Sequence, residues 1–499
     1  MKTKSNFRKG SRIQRVLAAA LLLLPLAARA GGVVTTCTEA ALRAAMAGGG
    51  VVTFACDGTI TLAATITNVS DTVLDGSGHQ VTLSGGGRVQ VLYVTTNLTL
   101  IRLAVSNGYA GSNSPPGGGI YNAGTLTLRD CVVTGNRTWS GANGTSGGGG
   151  GDGGGIWSSG NLTATGCTFS GNATGNGGDG AWAHDRGGSG GPGGSGGAIW
   201  SMGYCALTNC TLAGNFTGSG GSGGNAVMYG GAGGAGGAGA GICSRSSLDL
   251  LDCTIAANQA GNYGLPGWAS QGPVGDPGLP GAGGVANKGG TVRLLNTIVA
   301  ANLIIPPPPI LWPPDVSGVF LSLGYNLIGT TNGNDGFSSP GDLVGSVHFP
   351  LDPKLGPLTS NGGPTLTMAL LPGSPAIDAG DTAAAPATDQ RGFPRPAGAA
   401  ADIGVFEYGS VMPTIAVSLI RLGDADHRRQ PVGRDRERPG QRQRRQLLPP
   451  ALEHGSVELG SDCHQPNRLK RNVSILRQLR SRRCLPLLSI GDAVTLHLI

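Results

Sequence analysis

The sequence predicts an all-β chain that folds as a right-handed parallel β-helix with glycine-rich loop insertions. Three observations support this prediction: a motif that recurs along the chain, apolar residues at alternate positions within each copy, and an asparagine that follows each copy. Short alternating segments make strands with one buried face, and none is long enough to form a core alone. Such copies bury their apolar faces only by stacking on one another.

Residues 1–30 begin with basic residues, continue as an apolar run and end in Ala28-Arg29-Ala30. This order is typical of a secretory signal peptide, with cleavage after Ala30. We therefore expect an exported protein, secreted or held at the cell surface. No later segment reaches the roughly 18 continuous apolar residues of a membrane helix, so no transmembrane helix is predicted.

The chain of 499 residues has a net charge of +7, but its central part, residues 31–410, is acidic. Residues 1–30 hold seven basic residues and no acid, and residues 411–499 hold 16 basic and eight acidic residues. Residues 31–410 therefore hold 12 basic and 20 acidic residues, a net charge of −8. Nucleic-acid binding requires a basic face that neutralises phosphates, so the acidic body excludes nucleic acid as a partner. We expect a monomer without a cofactor.

The N-terminal cap is predicted to cover residues 31–70. Cys37 and Cys56 flank a short helical pattern that is followed by a strand pattern. Exported proteins can keep disulfides because their compartments are oxidising. We therefore predict a Cys37–Cys56 disulfide that closes the cap.

Residues 71–302 are predicted to form the repeats of the β-helix. The copies align on Cys131, Cys167, Cys210 and Cys253, with spacings of 36, 43 and 43 residues, and Thr297 takes that place in a fifth copy. Five residues later, each copy has an asparagine: Asn136, Asn172, Asn215, Asn258 and Asn302. Stacking places equivalent side chains about 4.8 Å apart. The column therefore predicts an amide ladder at a tight corner, where asparagine tolerates left-handed backbone angles.

The repeat cysteines allow two interpretations. Disulfides are common in exported proteins, but these four cysteines share a column with Thr297, and Cys205 lies in a column of leucines. Small buried hydrophobic residues behave in this way, so we predict that they are unpaired and buried.

The residues beyond a roughly 20-residue coil are rich in glycine and occupy 140–155, 175–198, 217–241 and 259–284. They are predicted to be loops that leave one edge of the solenoid. One contains four collagen-like triplets, GPVGDPGLPGAG, which are too few for a triple helix and predict a flexible loop. The GGDG segment lacks the spaced aspartates of calcium-binding glycine repeats, so no metal site is predicted.

An aromatic column follows directly after a column of isoleucines. It consists of Tyr121, Trp157 and Trp200, with Cys243 in the next copy. Alternation places these side chains on the outward face. Stacked aromatic rings suit sugar rings, which makes the three aromatic residues candidate glycan contacts. The alternative is a ladder that only stabilises the sheet or lies beneath the glycine-rich loops.

An enzyme of the polysaccharide lyase or glycoside hydrolase class is the main alternative function. Hydrolysis requires paired carboxylates across the sugar. Asp130 and Asp252 share a column, but the two copies between them carry no acid there. Arg129 and Arg293 lie too many coils apart to cooperate, and His79 lies in a turn. We interpret these residues as a solvated face and predict no catalytic residues.

Segments 117–136, 323–329, 351–380 and 388–409 carry a family resemblance. The first, GGGIYNAGTLTLRDCVVTGN, resembles repeats of bacterial β-helix surface proteins of the polymorphic outer-membrane protein type. The others, beginning LGYNLIG, LDPKLGPL and TDQRGFPRP, resemble the choice-of-anchor region of such proteins. Met368 stands where that family usually has histidine.

The resemblance implies that residues 319–410 form the final coils and an anchor-like region that closes the helix, after a Pro-rich linker or loop at 303–318. It also implies surface display with an adhesive or structural role. The partner would be a polysaccharide or the surface of a host or neighbouring cell. A surface filament without any ligand is a third possibility.

Residues 411–499 form an atypical basic tail. Its arginine-rich part, 421–446, has no strand pattern and by itself would suggest nucleic acid or lipid binding. Residues 452–489 can be back-translated with permitted codons and read one base later to give an alternating, strand-like segment. We therefore predict a frameshift at about residue 421 and assign the tail no function. An unbroken reading frame across codon 421 in independent DNA clones would contradict this.

Overall fold

The computed structural model describes residues 31–304, 315–331 and 336–411. Almost all of their regular structure is β, with one α-helix, Glu39–Met46. Three long parallel sheets extend along the molecule, and successive coils add a strand to each of them. The all-β parallel β-helix is therefore confirmed. The predicted signal peptide and the tail beyond Val411 lie outside the described residues.

The three sheets are named A, B and C. Sheet A contains Gly31–Val34, Gly50–Phe54, Thr72–Asp75, Asn97–Ile101, Thr125–Arg129, Asn161–Thr165, Cys205–Thr208, Leu248–Leu251, Val292–Leu295 and Leu321–Ser322. Sheet B contains Gly58–Thr61, Val81–Ser84, Leu103–Ser106, Val132–Thr134, Thr168–Ser170, Thr211–Ala213, Thr254–Ala256, Ile298–Ala300, Leu327–Thr331 and Leu343–Ser346. Sheet C contains Ile66–Asn68, Leu92–Val94, Ile120–Asn122, Ile156–Ser158, Ile199–Ser201, Ile242–Ser244, Val285–Asn287 and Val316–Ser317.

Three further strand pairs lie outside these sheets. Tyr109–Ala110 pairs with Arg137–Thr138, and Gln259–Ala260 pairs with Leu303–Ile304, both in parallel. Leu355–Thr359 pairs with Thr367–Leu370 in the antiparallel direction.

The core is one continuous cluster inside the coils, made of several stacked columns of apolar side chains. Equivalent residues stack in register, as Leu126 does on Leu162 and Leu162 on Cys205. The cysteines of the repeat are free and buried, as predicted: Cys131, Cys167, Cys205, Cys210 and Cys253. Burial raises the pKa of the Cys167 and Cys210 thiols, so these groups stay protonated and act as apolar packing.

The N-terminal cap is shorter than predicted. The helix Glu39–Met46 is capped by Thr38, whose side chain accepts a hydrogen bond from the Ala41 amide. Cys37 and Cys56 form the predicted disulfide.

The first complete coil starts at Gly50 and not at residue 71, since 50–54, 58–61 and 66–68 already supply one strand to each long sheet. This coil departs from the repeat motif, so alignment to the motif missed it.

The asparagine ladder is present and buried. Asn136 Nδ2 donates to Asn172 Oδ1 at 2.9 Å, and the pattern repeats through Asn215, Asn258 and Asn302. Asp315 accepts the last of these bonds, from Asn302 Nδ2 at 2.8 Å. The predicted left-handed angles are wrong for these residues. The residue before each asparagine has positive φ instead: Gly135, Gly171, Gly214, Ala257 and Ala301.

Residues 351–410 lie along the outer face of sheet B. Thr168 Oγ1 donates to Leu366 O at 2.6 Å, and Thr211 Oγ1 donates to Gln390 Oε1 at 2.6 Å. The Val405 amide donates to Thr254 Oγ1 at 3.2 Å. These contacts reach three successive coils. Residues 351–410 therefore cover the side of the solenoid, whereas the resemblance implied that the C-terminal region closes its end.

The predicted Pro-rich linker at 303–318 is partly β structure. Its first two residues pair with Gln259–Ala260, and Val316–Ser317 is the last strand of sheet C. Residues 305–314 lie outside the described part of the chain.

The four glycine-rich insertions are ordered, and we call them glycine arms. Each arm has an outgoing and a returning segment. Along one outgoing segment, every third amide donates to the next arm: Gly177 to Ser219 O at 2.8 Å and Gly180 to Ser222 O at 2.9 Å. A three-residue period without bonds inside the segment is that of the polyproline II conformation. The insertions predicted as loops therefore contain regularly hydrogen-bonded segments.

The outgoing and returning rows also bond to each other. Gly191 N donates to Gly178 O at 2.8 Å, and Gly221 N donates to Gly191 O at 2.9 Å. A Cβ on Gly191 would overlap the Gly148 carbonyl oxygen, so glycine is required for this close approach. The collagen-like triplets join the same packing, because Gly278 N donates to Gly264 O at 3.2 Å.

Candidate functional site

Sheet C carries the aromatic column that the sequence marked as candidate glycan contacts. Its strands pair in register, which aligns Tyr121 with Trp157, Trp157 with Trp200 and Trp200 with Cys243. The ring centroids of Tyr121 and Trp157 are 4.7 Å apart with planes 6° apart, and those of Trp157 and Trp200 are 5.2 Å apart with planes 11° apart. The spacing matches that of neighbouring strands.

Tyr93 extends this stack by one coil and was missed from the sequence. Its ring lies 4.8 Å from that of Tyr121, and its strand pairs in register with Ile120–Asn122. The coil around Tyr93 departs from the repeat motif, and the signal was the shared apolar–aromatic order of Leu92-Tyr93 and Ile120-Tyr121. Burial raises the pKa of the Tyr121 phenol, and the Tyr93 phenol beside it adds to the effect.

The ring faces in this stack cover one another. Trp200 is only 7% exposed and packs with Ala238, Cys243 and Ala286. The Arg245 guanidinium lies over the Trp200 ring, 5.9 Å from its centroid. A sugar ring stacks on an aromatic face, and these faces are occupied by their neighbours. Glycan contact at Tyr121, Trp157 and Trp200 stays a prediction, and the observed geometry favours a stabilising ladder.

The column shared by Asp130 and Asp252 forms the turn between sheets A and B, and both residues have positive φ. Burial raises the pKa of the Asp130 carboxyl, while the guanidinium of Arg102, 3.5 Å away, opposes the shift. Asp252 is fully buried and pairs with Arg395. The prediction of a solvated face is therefore wrong for Asp252, because the distant segment at 395 covers it.

Arg395 belongs to a buried ionic cluster at the interface between residues 351–410 and sheet B. Burial raises the pKa of the Asp252 carboxyl to about 7, and Arg395 opposes this shift. Arg395 Nε lies 3.3 Å from Glu407 Oε2, and Arg391 forms a 2.6 Å ion pair with Asp389. The Asp252–Arg395 pair joins this segment to the solenoid, and the buried side chains of the cluster are closed to a polymer substrate.

Other titratable groups of the solenoid are dispersed. Arg293 pairs with Asp249 at 2.9 Å on sheet A, and His79 lies 3.4 Å from Asp57. Within residues 31–304, 315–331 and 336–411, no group of three or more His, Cys, Asp and Glu residues is placed to hold a metal ion.

No family model matches the chain, and no curated protein is significantly similar to it. The described part of the chain contains no helix that is both long enough and apolar enough to cross a membrane.

Proposed function

We propose that this chain is an exported β-helix protein that acts at the cell surface as an adhesin or structural scaffold and contacts glycans. The signal-peptide pattern at 1–30 and the resemblance to bacterial surface β-helix proteins support export and display. The observation that carries the proposal is the rigid build of the molecule. A continuous core, an amide ladder and hydrogen-bonded arms make a stiff body from which side chains are presented.

A polysaccharide lyase or glycoside hydrolase is the second candidate function. Paired carboxylates facing a groove would favour it. Of the two aspartates that share a column, Asp252 is buried against Arg395, and Asp130 faces Arg102. The carboxylates therefore take part in structural ion pairs, and the adhesive or structural role is favoured.

Incubation of the full chain with neutral and acidic polysaccharides tests the proposal. Retention of uncut polymer is the expected result. Release of shortened or unsaturated oligosaccharides, detected by mass spectrometry in the same samples, would favour the enzyme. Absence of both retention and release would contradict the adhesin and leave a structural filament as the better description.

A further inference from the structure

The ends of the glycine arms bring exposed aromatic residues together. We define the arm tips as residues 182–186, 225–229 and 268–271. Parallel bridges join Ala183 to Ala226 and Ala226 to Ala269. The preceding residues, Trp182, Asn225 and Trp268, therefore occupy equivalent places on three successive coils, and we call them the tip row.

The tip row differs from the stack on sheet C in exposure. Trp182 is 65% exposed and Trp268 is 59% exposed. Because Asn225 separates them, the two tryptophans lie two coils apart, about 10 Å along the stack. At that separation the indole rings do not cover each other, so both keep faces that a ligand can contact. Tyr229, 52% exposed, lies on the returning side and bridges to Arg186.

Polar side chains lie in the same arm tips as these rings. His184 Nδ1 lies 2.9 Å from Asp185 Oδ1, and both side chains are largely exposed. Asn225 Oδ1 accepts a hydrogen bond from the Trp268 amide at 2.8 Å. An aromatic face with hydrogen-bonding groups at its edge suits a sugar, whose C–H face packs on the ring while its hydroxyls bond to the polar groups.

The tips are held in place before any ligand binds. The Val227 amide donates to His184 O at 3.0 Å, and the Tyr229 amide donates to Asp185 O at 3.0 Å. Beneath them, the packed glycine rows leave no room for other side chains. A site fixed in this way loses little conformational entropy on binding.

We propose that the tip row, together with Tyr229, binds a neutral polysaccharide. This inference rests on the proposed adhesive function and names its site. A neutral polymer is favoured because residues 31–410 carry a net charge of −8, which repels acidic polymers, and Asp185 offsets the local charge of Arg186. The same charge repels anionic membranes, and the polar Asn225 separates the two tryptophans of the tip row.

The test compares the full chain with the variants Trp182→Ala, Trp268→Ala and the double variant. Retention is measured by affinity electrophoresis in gels that contain amylose, mannan, galactan or hydroxyethyl cellulose, with alginate as the acidic polymer. Vesicles of phosphatidylethanolamine and phosphatidylglycerol test membrane binding. Leu279→Ala is the matched control, since Leu279 is an exposed residue of an arm outside the tip row. Trp157→Leu probes the stack on sheet C.

The double variant is expected to bind at least one neutral polymer about tenfold less tightly, while Leu279→Ala and Trp157→Leu stay within twofold of the wild type. Trp182→Phe should recover most of the binding lost in Trp182→Ala, since it restores an aromatic face. Equal binding by wild type and double variant would overturn the tip site and leave glycan adhesion standing. Vesicle binding that depends on the tip row would replace the glycan with a lipid surface. No retention of the wild type on any polymer would contradict both proposals.

Discussion

Two sets of aromatic residues in this molecule have opposite surroundings. On sheet C, Trp157 and Trp200 stack at 5.2 Å, and their faces cover each other. At the arm tips, Trp182 and Trp268 are more than half exposed. The difference follows from the order of residues along the column, because successive aromatic residues stack at the strand spacing, whereas an intervening asparagine keeps them apart. A repeated column therefore stabilises the solenoid, and an interrupted one leaves ring faces for ligands.

The largest expected difference in stability is between two variants that each remove one tryptophan, one from each set. Trp200→Ala should lower the free energy of unfolding by about 4 kcal/mol, because it leaves a cavity beside Trp157 and Ala238. Trp182→Ala should change it by less than about 0.5 kcal/mol, because the ring is exposed. Denaturant titration followed by circular dichroism measures both. Equal losses would show that the tip is packed as tightly as the sheet.

A second contrast uses asparagines. Asn215 Oδ1 accepts bonds from the backbone amide and the side chain of Asn172, and its Nδ2 donates to Asn258 Oδ1 at 2.8 Å. Asn215→Ala leaves buried polar groups without partners and should lower the free energy of unfolding by about 3 kcal/mol. Asn225→Ala, at the exposed tip, should lower it by less than about 1 kcal/mol. If denaturant titration shows only a small loss of unfolding free energy for Asn215→Ala, the ladder is not needed for stability.

A third pair of variants tests the packing of the glycine arms. Gly191→Ala places a methyl group against the Gly148 carbonyl and should lower the free energy of unfolding by about 2 kcal/mol. Ser189→Ala is the control, since that side chain is exposed. Hydrogen exchange should become faster throughout residues 175–198 in Gly191→Ala alone. Fast exchange there in the wild type would mean that the arms do not support the tips.

The smallest effect is a pH dependence. Burial raises the pKa of the Asp315 carboxyl to about 6, so the folded state holds this proton more tightly than the unfolded state. Its contribution to stability is therefore full below about pH 4 and is lost as the pH rises through 6. Asp315→Asn should reduce the fall in unfolding free energy between pH 4 and 7.5 by about 1–2 kcal/mol.

The matched control for this pH effect is Asp185→Asn, at an exposed carboxyl of the arm tips. It is the reference against which the slope of unfolding free energy against pH in Asp315→Asn is compared. Unfolding curves at several pH values measure both variants. An unaltered slope in Asp315→Asn would show that the carboxyl is solvated.

The solenoid was predictable because its evidence is periodic. Each coil repeats the same apolar places, so stacking, the buried cysteines and the ladder from Asn136 to Asn302 follow from the alignment of copies. The disulfide was predictable because Cys37 and Cys56 lie outside that alignment.

Two features were not predictable for physical reasons. The regular structure of the glycine arms comes from backbone hydrogen bonds between neighbouring segments. Because glycine has no side chain, the sequence of an arm has no apolar pattern that would indicate a buried face. The packing of residues 351–410 on sheet B depends on contacts between residues far apart in sequence, such as Asp252 with Arg395. Neither residue reveals its partner through local spacing.

The most direct test of the central claim measures retention and stability on two double variants in parallel. Trp182→Ala/Trp268→Ala should lose polysaccharide retention while its unfolding curve matches that of the wild type. Trp157→Leu/Trp200→Leu should unfold at a lower denaturant concentration than the wild type. The polysaccharide should retain the protein that remains folded as strongly as it retains the wild type. The reverse outcome, with retention lost only when the stack on sheet C is altered, would place the binding surface on the ladder and contradict the division between the two aromatic sets.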